Sequence, residues 1–464
     1  MSEPRAKHTQ RAADVQGLAP VALVLDDDDE WNSLCAPWRA ELERSARETK
    51  ALQRRRKIQS APTLLRLVLG YGLNDWSLQQ LGLWATAMGI STSAMSNTAL
   101  QGRLRGARAW LSQLVGQLLP AVSTAPRAAG VQVHLIDATV ICQPGSHGTD
   151  WRVHLNWNAG TLCLAGVELT DAHGGESLAR HAAAAQAIGI GDRGYGHARG
   201  LGAWLAAGAH VVVRTNGQNL PLETGLNEKL DLSAWLSSVP ASRQSVSGPV
   251  WVNTPHGRFG LRLIARRLPA EAAAAARRRL HKASHKQGHV PNALSLLLTD
   301  WVLILTSLPA ALWSEEAVLG LYRLRWQVEL VIKRVKSLVQ LEHVRAQEPE
   351  MVQVYLLAKL IGVLLLDGWT RQLLAQLDAW FAAPTCALSL WRWTAVWVDQ
   401  LRAIVRGHFT LKIFLTALPK LKRYLHDRPR KRQQQLAQAR RLLLALGLTP
   451  SAADLSAALA EVPA

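Results

Sequence analysis

Cysteine and acidic residues are both scarce in this sequence. Only four cysteines occur among 464 residues: Cys35, Cys142, Cys163 and Cys386. Because they are few and widely separated, they do not indicate a disulfide framework or a zinc cluster, and they favour a reducing compartment. Asp and Glu number 34 against 53 Lys and Arg, which gives a formal net charge of +19. This shortage of negative charge predicts a polyanionic partner, with nucleic acid favoured over an anionic membrane surface.

Long hydrophobic segments and phosphate-binding loops are missing as well. The most apolar run, Leu356 to Leu366, is interrupted by Lys359. It is also too short for a membrane-spanning helix, which needs about 20 residues. We therefore expect a buried helix there and no membrane partner. The polar start, Met1 to Gln16, is not typical of a secretory signal peptide. No Walker-type glycine-rich loop occurs, so the sequence does not indicate a nucleotide cofactor.

Changes in composition and periodicity predict five segments. In chain order they are a helical N-terminal DNA-binding region (1–125), the first part of an α/β core (126–219), a β-rich insertion (220–299), the second part of the core (300–370) and a helical basic C-terminal region (371–464). In the first segment, Ala85, Gly89 and Met95 have the offsets of a helix-turn-helix whose second helix would begin near Ser91. Ordinary helix packing would produce the same pattern about as often.

Strand and helix patterns alternate within the core. Predicted strands lie at Val131–Ile136, Arg152–Trp157, Thr161–Leu169, Ile188–Ile190, His210–Arg214 and Trp301–Thr306. Predicted helices lie at Ser177–Ala187, His197–Ala207 and about Ser314–Val339. The insertion carries two further candidate strands, Val250–Asn253 and Phe259–Arg266. This succession is typical of an α/β protein with one layered sheet.

Two aspartates follow predicted strands. Asp137 comes directly after Ile136, and Asp192 follows Gly191. Because sites in α/β sheets are commonly assembled at strand ends, both are candidate catalytic residues. A turn-forming role is at least as good an explanation for either aspartate alone.

A third acid lies on a predicted helix, in the segment YRLRWQVELVIKRVK. At about 100° per residue, Tyr322, Arg325, Glu329 and Lys336 point within roughly 60° of one another and form one polar stripe. An ordinary exposed face with Glu and Arg pairing has the same pattern. Two strand-terminal aspartates followed by a helical glutamate are a rarer coincidence. Three carboxylates can hold the two divalent ions that stabilise charge during phosphodiester cleavage.

The spacing of these four helical residues resembles the YREK signature of bacterial insertion-sequence transposases of the DDE type. The segments LIDAT around Asp137, GDRGYG around Asp192 and WVLILT before the Glu329 helix resemble that family's corresponding motifs. The resemblance covers about 130–345. It implies an α/β fold with an RNase H-like mixed sheet, flanking helices, a mostly β insertion between the second Asp and the Glu, and helical N- and C-terminal regions.

The resemblance also implies roles for individual residues. Asp137, Asp192 and Glu329 would be the catalytic acids and would bind two Mg²⁺ ions, with Mn²⁺ as a substitute. The phosphates of the transposon ends would be held by Tyr322, Arg325 and Lys336, and Trp301 would contact DNA. Arg193 is a further DNA-binding candidate because it lies next to Asp192. A structural salt bridge explains Arg193 equally well, and a buried strand position is the simpler explanation of Trp301.

The implied activity is transposition: hydrolysis at the ends of the element, then direct attack of the freed 3′-OH on a second phosphodiester. The expected partners are double-stranded DNA, as terminal inverted repeats and target, and a second copy of the chain in a dimeric synaptic complex. The expected location is the bacterial cytoplasm, in association with the nucleoid. Two alternatives stay open, a transposase-derived DNA-binding protein without cleavage and an RNase H-like nuclease without strand transfer.

Overall fold

The computed structural model describes residues 30–39, 41–120, 132–381, 387–408, 411–427 and 441. Of the residues singled out above, Met1–Gln16, Val131 and Cys386 lie outside this part of the chain.

The described residues before the sheet form helices. These are α1 Glu30–Cys35, α2 Leu42–Glu48, α3 Ala61–Leu73, α4 Leu78–Ala87, α5 Asn97–Gly106 and α6 Arg108–Leu118. Helix α5 begins at Asn97 because the Ser96 side chain accepts the Ala99 N–H and caps it. The predicted start near Ser91 was therefore wrong, and the connection after α4 is longer than the tight turn of a helix-turn-helix. The DNA-binding interpretation of this region stays a prediction.

The central feature is an eight-stranded mixed sheet. Its strands are β1 Val133–Ile141, β2 Trp151–Asn158, β3 Cys163–Asp171, β4 Ile188–Gly191, β5 His210–Thr215, β6 Ser245–Thr254, β7 Gly257–Arg267 and β8 Trp301–Thr306. Their spatial order is β3-β2-β1-β4-β5-β8-β7-β6. Strands β1 to β3 are antiparallel neighbours, whereas β4 and β5 run parallel to β1. This order confirms the predicted mixed sheet of the RNase H-like core.

Helix α7, Ala198–Ala206, connects β4 to β5, and the segment after β5 widens the sheet. Strands β6 and β7 form a long hairpin, and β7 pairs with β8. The hairpin contains both candidate strands of the insertion, which confirms them, and β8 has the predicted bounds. The same segment also contains α8 Leu232–Ser237, α9 Ala270–Lys286 and α10 Ala293–Leu297.

The predicted helix Ser177–Ala187 was wrong. The structure has only a short 3-10 turn at Leu178–Arg180. The indole N–H of Trp204 donates to the carbonyls of Leu178 and His181, at 2.8 and 3.1 Å. These tertiary hydrogen bonds use carbonyls that a continuing helix would need, so they override the helical preference of an alanine-rich stretch.

The predicted long helix after β8 is divided into α11, Glu315–Arg323, and α12, Trp326–Leu338. At the junction the Leu324 N–H donates to Leu321 O and the Arg325 N–H donates to Tyr322 O, three residues back rather than four. Such a tighter turn changes the angle between side chains before and after it. The four residues of the predicted stripe are therefore shared between two helices and their junction.

The rest of the described chain is mainly helical. Its elements are α13 Pro349–Phe381, β9 Ala387–Leu388, α14 Leu390–Arg406, α15 Leu411–Leu425 and β10 His426–Asp427. Residues 349–371 of α13 are long and apolar enough to cross a bilayer, so the expectation that this apolar stretch is too short was wrong. However, 83% of its most apolar window is buried inside the protein. The prediction of a buried helix is thus confirmed.

Candidate active site

Asp137 lies within β1 and not at its end. Strand β1 continues to Ile141 because residues beyond the apolar run pair with β2, and Asp137 itself pairs with Leu155. On the other side of β1, Leu135 pairs with Ile190, and β4 ends one residue later at Gly191. The prediction of a strand-terminal Asp137 was therefore wrong. The carboxylate reaches the open edge because the neighbouring strand is shorter.

Asp192 follows the last residue of β4, as predicted. Its Oδ1 atom accepts the Gly194 N–H at 2.8 Å and caps the 3-10 turn Arg193–Tyr195. Continuing the parallel register of β1 and β4 by two residues leads to Asp137 on one strand and Asp192 on the other. The sheet thus brings these two aspartates to the same place.

Arg325, at the junction of α11 and α12, links the helix to the sheet. Its Nη2 lies 2.5 Å from Glu329 Oε1, and its Nη1 lies 3.5 Å from Asp137 Oδ2. The three side chains are between 15% and 33% exposed, so water screens this ion-pair group only in part. One guanidinium therefore holds a β1 carboxylate and an α12 carboxylate at the same edge.

The electrostatics of the site are dominated by buried like charges. Burial raises the pKa of Asp137 to about 6; the Ala138 N–H and Arg325 lower it, whereas Asp192 and Glu176 raise it further. Burial and then the charge of Asp192 raise the pKa of Glu176. Burial would lower the pKa of Arg325, but Tyr322, Glu329 and Asp137 raise it above its ordinary value. The site therefore brings several carboxylates close to the Arg325 cation, which stays charged.

Further polar side chains border the acids. Burial raises the pKa of Tyr322. The charges of Arg325 and Arg214 lower this pKa, and the charge of Asp192 raises it. Arg214, near the end of β5, has a lowered pKa because of burial and the nearby Arg193. Arg193 is exposed and, among the described residues, makes no ion pair within 4.0 Å. The structural salt bridge considered for Arg193 is thus not seen in this part of the chain.

Two further predicted DNA-binding residues have contacts within the described part of the protein. Lys336 Nζ pairs with Glu342 Oε2 at 3.0 Å. The Trp301 ring is only 3% exposed, and the Arg267 guanidinium covers it at 4.2 Å from the ring centre. Trp301 therefore occupies the buried strand position, and a DNA base could reach its ring only after Arg267 moved. The DNA contact of Trp301 stays a prediction.

The donor set suits a hard divalent cation. Among the described residues, no three His, Cys, Asp or Glu side chains already converge as a closed metal site requires, and Arg325 lies between Asp137 and Glu329. The charges of Asp192 and Glu176 nevertheless act on Asp137, and the charge of Asp192 acts on Glu176. Carboxylate oxygens are the ligands that Mg²⁺ and Mn²⁺ prefer. The chemistry of the site therefore fits these ions.

Sequence reasoning missed Glu176, Tyr195 and Arg214. Arg214 lies at the end of the predicted strand His210–Arg214, so the strand-end argument used for Asp192 would also have identified it. Glu176 lies in a loop after β3, and its spacing to either aspartate follows no motif. Its place in the site depends on tertiary structure alone.

Comparison with known proteins places the chain in a family. A transposase DDE domain matches residues 130–365. The putative transposase InsL of insertion sequence IS186A from Escherichia coli strain K12 is 36% identical over 73% of this chain and 93% of its own length. The transposase of IS421 from Escherichia coli is also 36% identical, with the same coverage. The transposase of IS231F from Bacillus thuringiensis subsp. israelensis is 34% identical over 25% of each chain.

Among solved structures, the piggyBac transposase in a synaptic complex with hairpin DNA is similar, with a TM-score of 0.44 and 10% identity over 85% of each chain. The matched domain at residues 130–365 includes both aspartates, Arg325 and Glu329. The long match to IS186 and IS421 extends beyond that domain and covers nearly the whole of these relatives. This chain therefore belongs to the DDE-domain transposases of bacterial insertion sequences.

Proposed function

We propose that this transposase cleaves the ends of its own element and joins them to target DNA, with Asp137, Asp192 and Glu329 as the catalytic acids. DNA transposition is the activity of its family; the residue assignment is ours. The observation that carries it is the pairing of Arg325 with Asp137 on β1 and Glu329 on α12, together with the β1–β4 register that leads Asp192 to the side of Asp137. Three chain segments distant in sequence supply one acidic edge, which a purely structural arrangement would not need.

The family implies a divalent metal, and we propose Mg²⁺, with Mn²⁺ as a substitute, held as two ions by Asp137, Asp192 and Glu329. When bound, such ions stabilise the negative charge on the attacking and leaving oxygens of the scissile phosphate. The residues of the chain then have to orient the DNA and keep the carboxylates ionised. Arg325 serves the second role, because its cation lowers the pKa of Asp137.

The proposed reaction conserves phosphodiester bonds in its second half. Water first breaks a bond at the element's end and leaves a 3′-OH there. That hydroxyl then forms a bond to a target phosphorus while the target's own 3′ oxygen leaves. One phosphodiester is formed for each one broken, so no nucleotide cofactor is needed.

We propose that Tyr322, Arg325, Arg193 and Lys336 hold the phosphates of the transposon end. Tyr322 and Arg325 border the acids directly, and exposed Arg193 follows Asp192. Lys336 lies 11 residues beyond Arg325 on the chain, and it would have to exchange Glu342 for a phosphate. Because guanidinium groups match phosphate in a two-pronged geometry, the arginines are the stronger candidates.

The proposed substrates are double-stranded terminal inverted repeats and target DNA. Helix α9 carries a run of exposed basic side chains that can follow a DNA backbone without reading its sequence: Arg277, Arg278, Arg279, Lys282 and Lys286. Because two ends must be processed together, we propose a homodimer in the synaptic complex. We place the protein in the cytoplasm, associated with the nucleoid.

Glu329→Gln tests the assignment. It removes one catalytic charge but keeps the size of the side chain, so we expect strand cleavage to fall by on the order of 10³-fold or more, with end binding retained. Cleavage is measured on terminal-repeat DNA with Mg²⁺, and binding by electrophoretic mobility shift. The matched control is Glu316→Gln on α11, a 71% exposed glutamate, which should leave both activities unchanged.

Equal loss of binding and cleavage in Glu329→Gln would contradict the assignment. The same assay separates the alternatives by its products. Joined DNA molecules support transposition, cut ends alone support a nuclease, and binding without any Mg²⁺-dependent cut supports a DNA-binding protein that no longer cleaves.

A further inference from the structure

A fourth carboxylate, that of Glu176, lies in the acidic site. Glu176 belongs to the loop between β3 and the 3-10 turn Leu178–Arg180. Its side chain is half-buried, and the charge of Asp192 acts on it. The roles proposed for Asp137, Asp192 and Glu329 do not involve it.

The backbone of this loop is held in place from both sides. Arg152 Nη1, on β2, donates to Gly174 O at 2.7 Å. His197 Nε2, just before α7, donates to Glu176 O at 2.9 Å. A side chain at position 174 would collide with Thr170, so Gly174 allows the close approach of the loop to β3. Glu176 is therefore positioned by the core and is not on a free surface loop.

The Glu176 carboxylate faces Asp192. A β-carbon added at Gly194 would collide with Glu176 Oε2 and would lie 3.2 Å from Asp192 Oδ1, so both carboxylates border the same small space. Of the residues that the structure describes, none forms an ion pair within 4.0 Å of Glu176 or a hydrogen bond to its carboxylate. Arg152 is the cation whose charge acts on it, and its Nη1 already donates to Gly174 O. The negative charge of Glu176 is thus left largely uncompensated.

Tyr195 gives an independent indication that an oxygen-bearing ligand belongs here. Its side chain is 0% exposed, and its hydroxyl has no hydrogen-bond partner within the described ranges. A buried hydroxyl without a partner destabilises the fold. Burial and then the charges of Asp137, Glu176 and Asp192 raise the pKa of Tyr195. A buried donor without a partner in the described residues is therefore available near the acids whose charges act on it.

We propose that Glu176 is a fourth acidic ligand of the divalent-cation centre, beside Asp137 and Asp192, and that the Tyr195 hydroxyl donates a hydrogen bond to an oxygen bound there. The inference rests on the proposed function, because it concerns the same centre. It assigns the loop after β3 a part in metal binding that the three-acid pattern does not include.

Binding of Mn²⁺ to the full-length protein, followed by electron paramagnetic resonance of the free ion, tests the proposal without DNA or turnover. We expect Glu176→Gln to weaken Mn²⁺ binding at least about tenfold, as loss of a ligand or of a residue that orients ligands does. The matched control is Glu168→Gln on β3, whose carboxylate pairs with Arg180 at 2.9 Å; its Mn²⁺ affinity should equal that of the parent. Melting temperatures without metal show that each variant is folded.

Asp137→Asn is measured in parallel to separate the two proposals. Weaker Mn²⁺ binding in both Asp137→Asn and Glu176→Gln supports the fourth ligand. Weaker binding in Asp137→Asn alone overturns it and leaves the proposed function standing, whereas unchanged binding in both overturns the proposed function as well.

Two further variants keep the test decisive if Glu176→Gln does not fold. Glu176→Asp retains the charge but shortens the side chain, and an affinity between those of parent and Asp137→Asn is expected. Tyr195→Phe removes only the hydroxyl and should weaken Mn²⁺ binding by a smaller factor. Parental affinity in Glu176→Asp would count against Glu176, and parental affinity in Tyr195→Phe would remove the hydroxyl from the centre.

Discussion

The buried carboxylate of Asp367 and the acidic group around Asp137 both lie near helix α12, and their surroundings differ. Asp367, on α13, accepts the Leu164 N–H at 2.7 Å, and the charges of Arg371 and Arg334 act on it. At the other group, Asp137 and Asp192 face each other with Arg325 as the cation between sheet and helix. Asp367 therefore has a hydrogen-bond donor and cations of the protein near it, whereas the nearest charges to Asp137 include those of other carboxylates.

The difference separates a structural role from a chemical one. A buried carboxylate that only supports packing is supplied with hydrogen bonds and opposite charge, because otherwise it would destabilise the fold. Adjacent carboxylates without enough hydrogen-bond donors repel one another and destabilise the fold. A bound cation, or an ion bound together with DNA, can offset this repulsion. The comparison therefore predicts that metal distinguishes the two groups, although burial raises the pKa of both Asp137 and Asp367.

The largest expected effect concerns Asp367 and pH. Burial raises its pKa to about 7 despite the Leu164 N–H and the arginines. An acid whose pKa is raised on folding contributes stability below its unfolded pKa near 3.9 and loses it as pH rises through 7. Asp367→Asn should therefore gain stability relative to the parent between pH 4 and 7, by up to roughly 4 kcal/mol. Urea unfolding in EDTA across this range measures it, and a constant difference between the two proteins would contradict it.

Bound metal should stabilise the folded protein through the acidic group around Asp137 and not through Asp367. At a Mg²⁺ or Mn²⁺ concentration of about 100 times the dissociation constant, the free energy of unfolding should rise by roughly 2.7 kcal/mol. Asp137→Asn should lose this gain, whereas Asp367→Asn should keep it. Thermal unfolding with and without metal is the measurement. Equal stabilisation of both variants would mean that the metal binds elsewhere.

Arg325 should matter for stability when metal is absent. Arg325→Gln leaves Asp137 and Glu329 without their shared cation, so we expect a loss of about 1 kcal/mol in EDTA. Arg325→Lys should restore only part of it, because an ammonium group lacks the planar fork that reaches both carboxylates. Arg323→Gln, at an exposed position of α11, is the control. Full rescue by lysine would show that charge alone, and not geometry, is needed.

The smallest effect is expected at Lys336. If this residue contacts one phosphate, Lys336→Ala should lower the slope of log affinity against log salt by about 1. Cleavage of bound ends should change little, because Lys336 pairs with Glu342 outside the acidic group. Titrations of terminal-repeat DNA at several salt concentrations measure the slope. An unchanged slope would leave Lys336 with its structural ion pair only.

Much of the sheet could be predicted because its strands are dense apolar runs. Trp301–Thr306 was predicted with the bounds of β8, and the position of Asp192 after β4 follows from the run that ends at Gly191. Periodicity failed where pairing or tertiary contact extends beyond the apolar residues. Strand β1 continues past Asp137 since β2 supplies hydrogen-bond partners there, which no local pattern indicates.

The site was predictable only in part, for a related reason. Asp192 has a strand to mark it, and Glu329 has a polar stripe on a helix. Glu176 has neither, because a hydrogen bond from His197 to the Glu176 carbonyl and one from Arg152 to the Gly174 carbonyl determine its place. Residues positioned by distant donors leave no trace in local spacing, and a structure is needed to find them.

Because α13 is buried against the N-terminal helices, the fold of the core depends on those helices being present. One hydrophobic core extends from Trp31 in α1 to Leu425 in α15 and includes residues of β1 to β3, and α3 and α6 pack directly on α13. A fragment that began near residue 126 would expose the apolar stretch 349–371 to water. Such a piece should self-associate or require detergent, so a copy of the gene that has lost about its first quarter should yield insoluble polypeptide instead of a free nuclease.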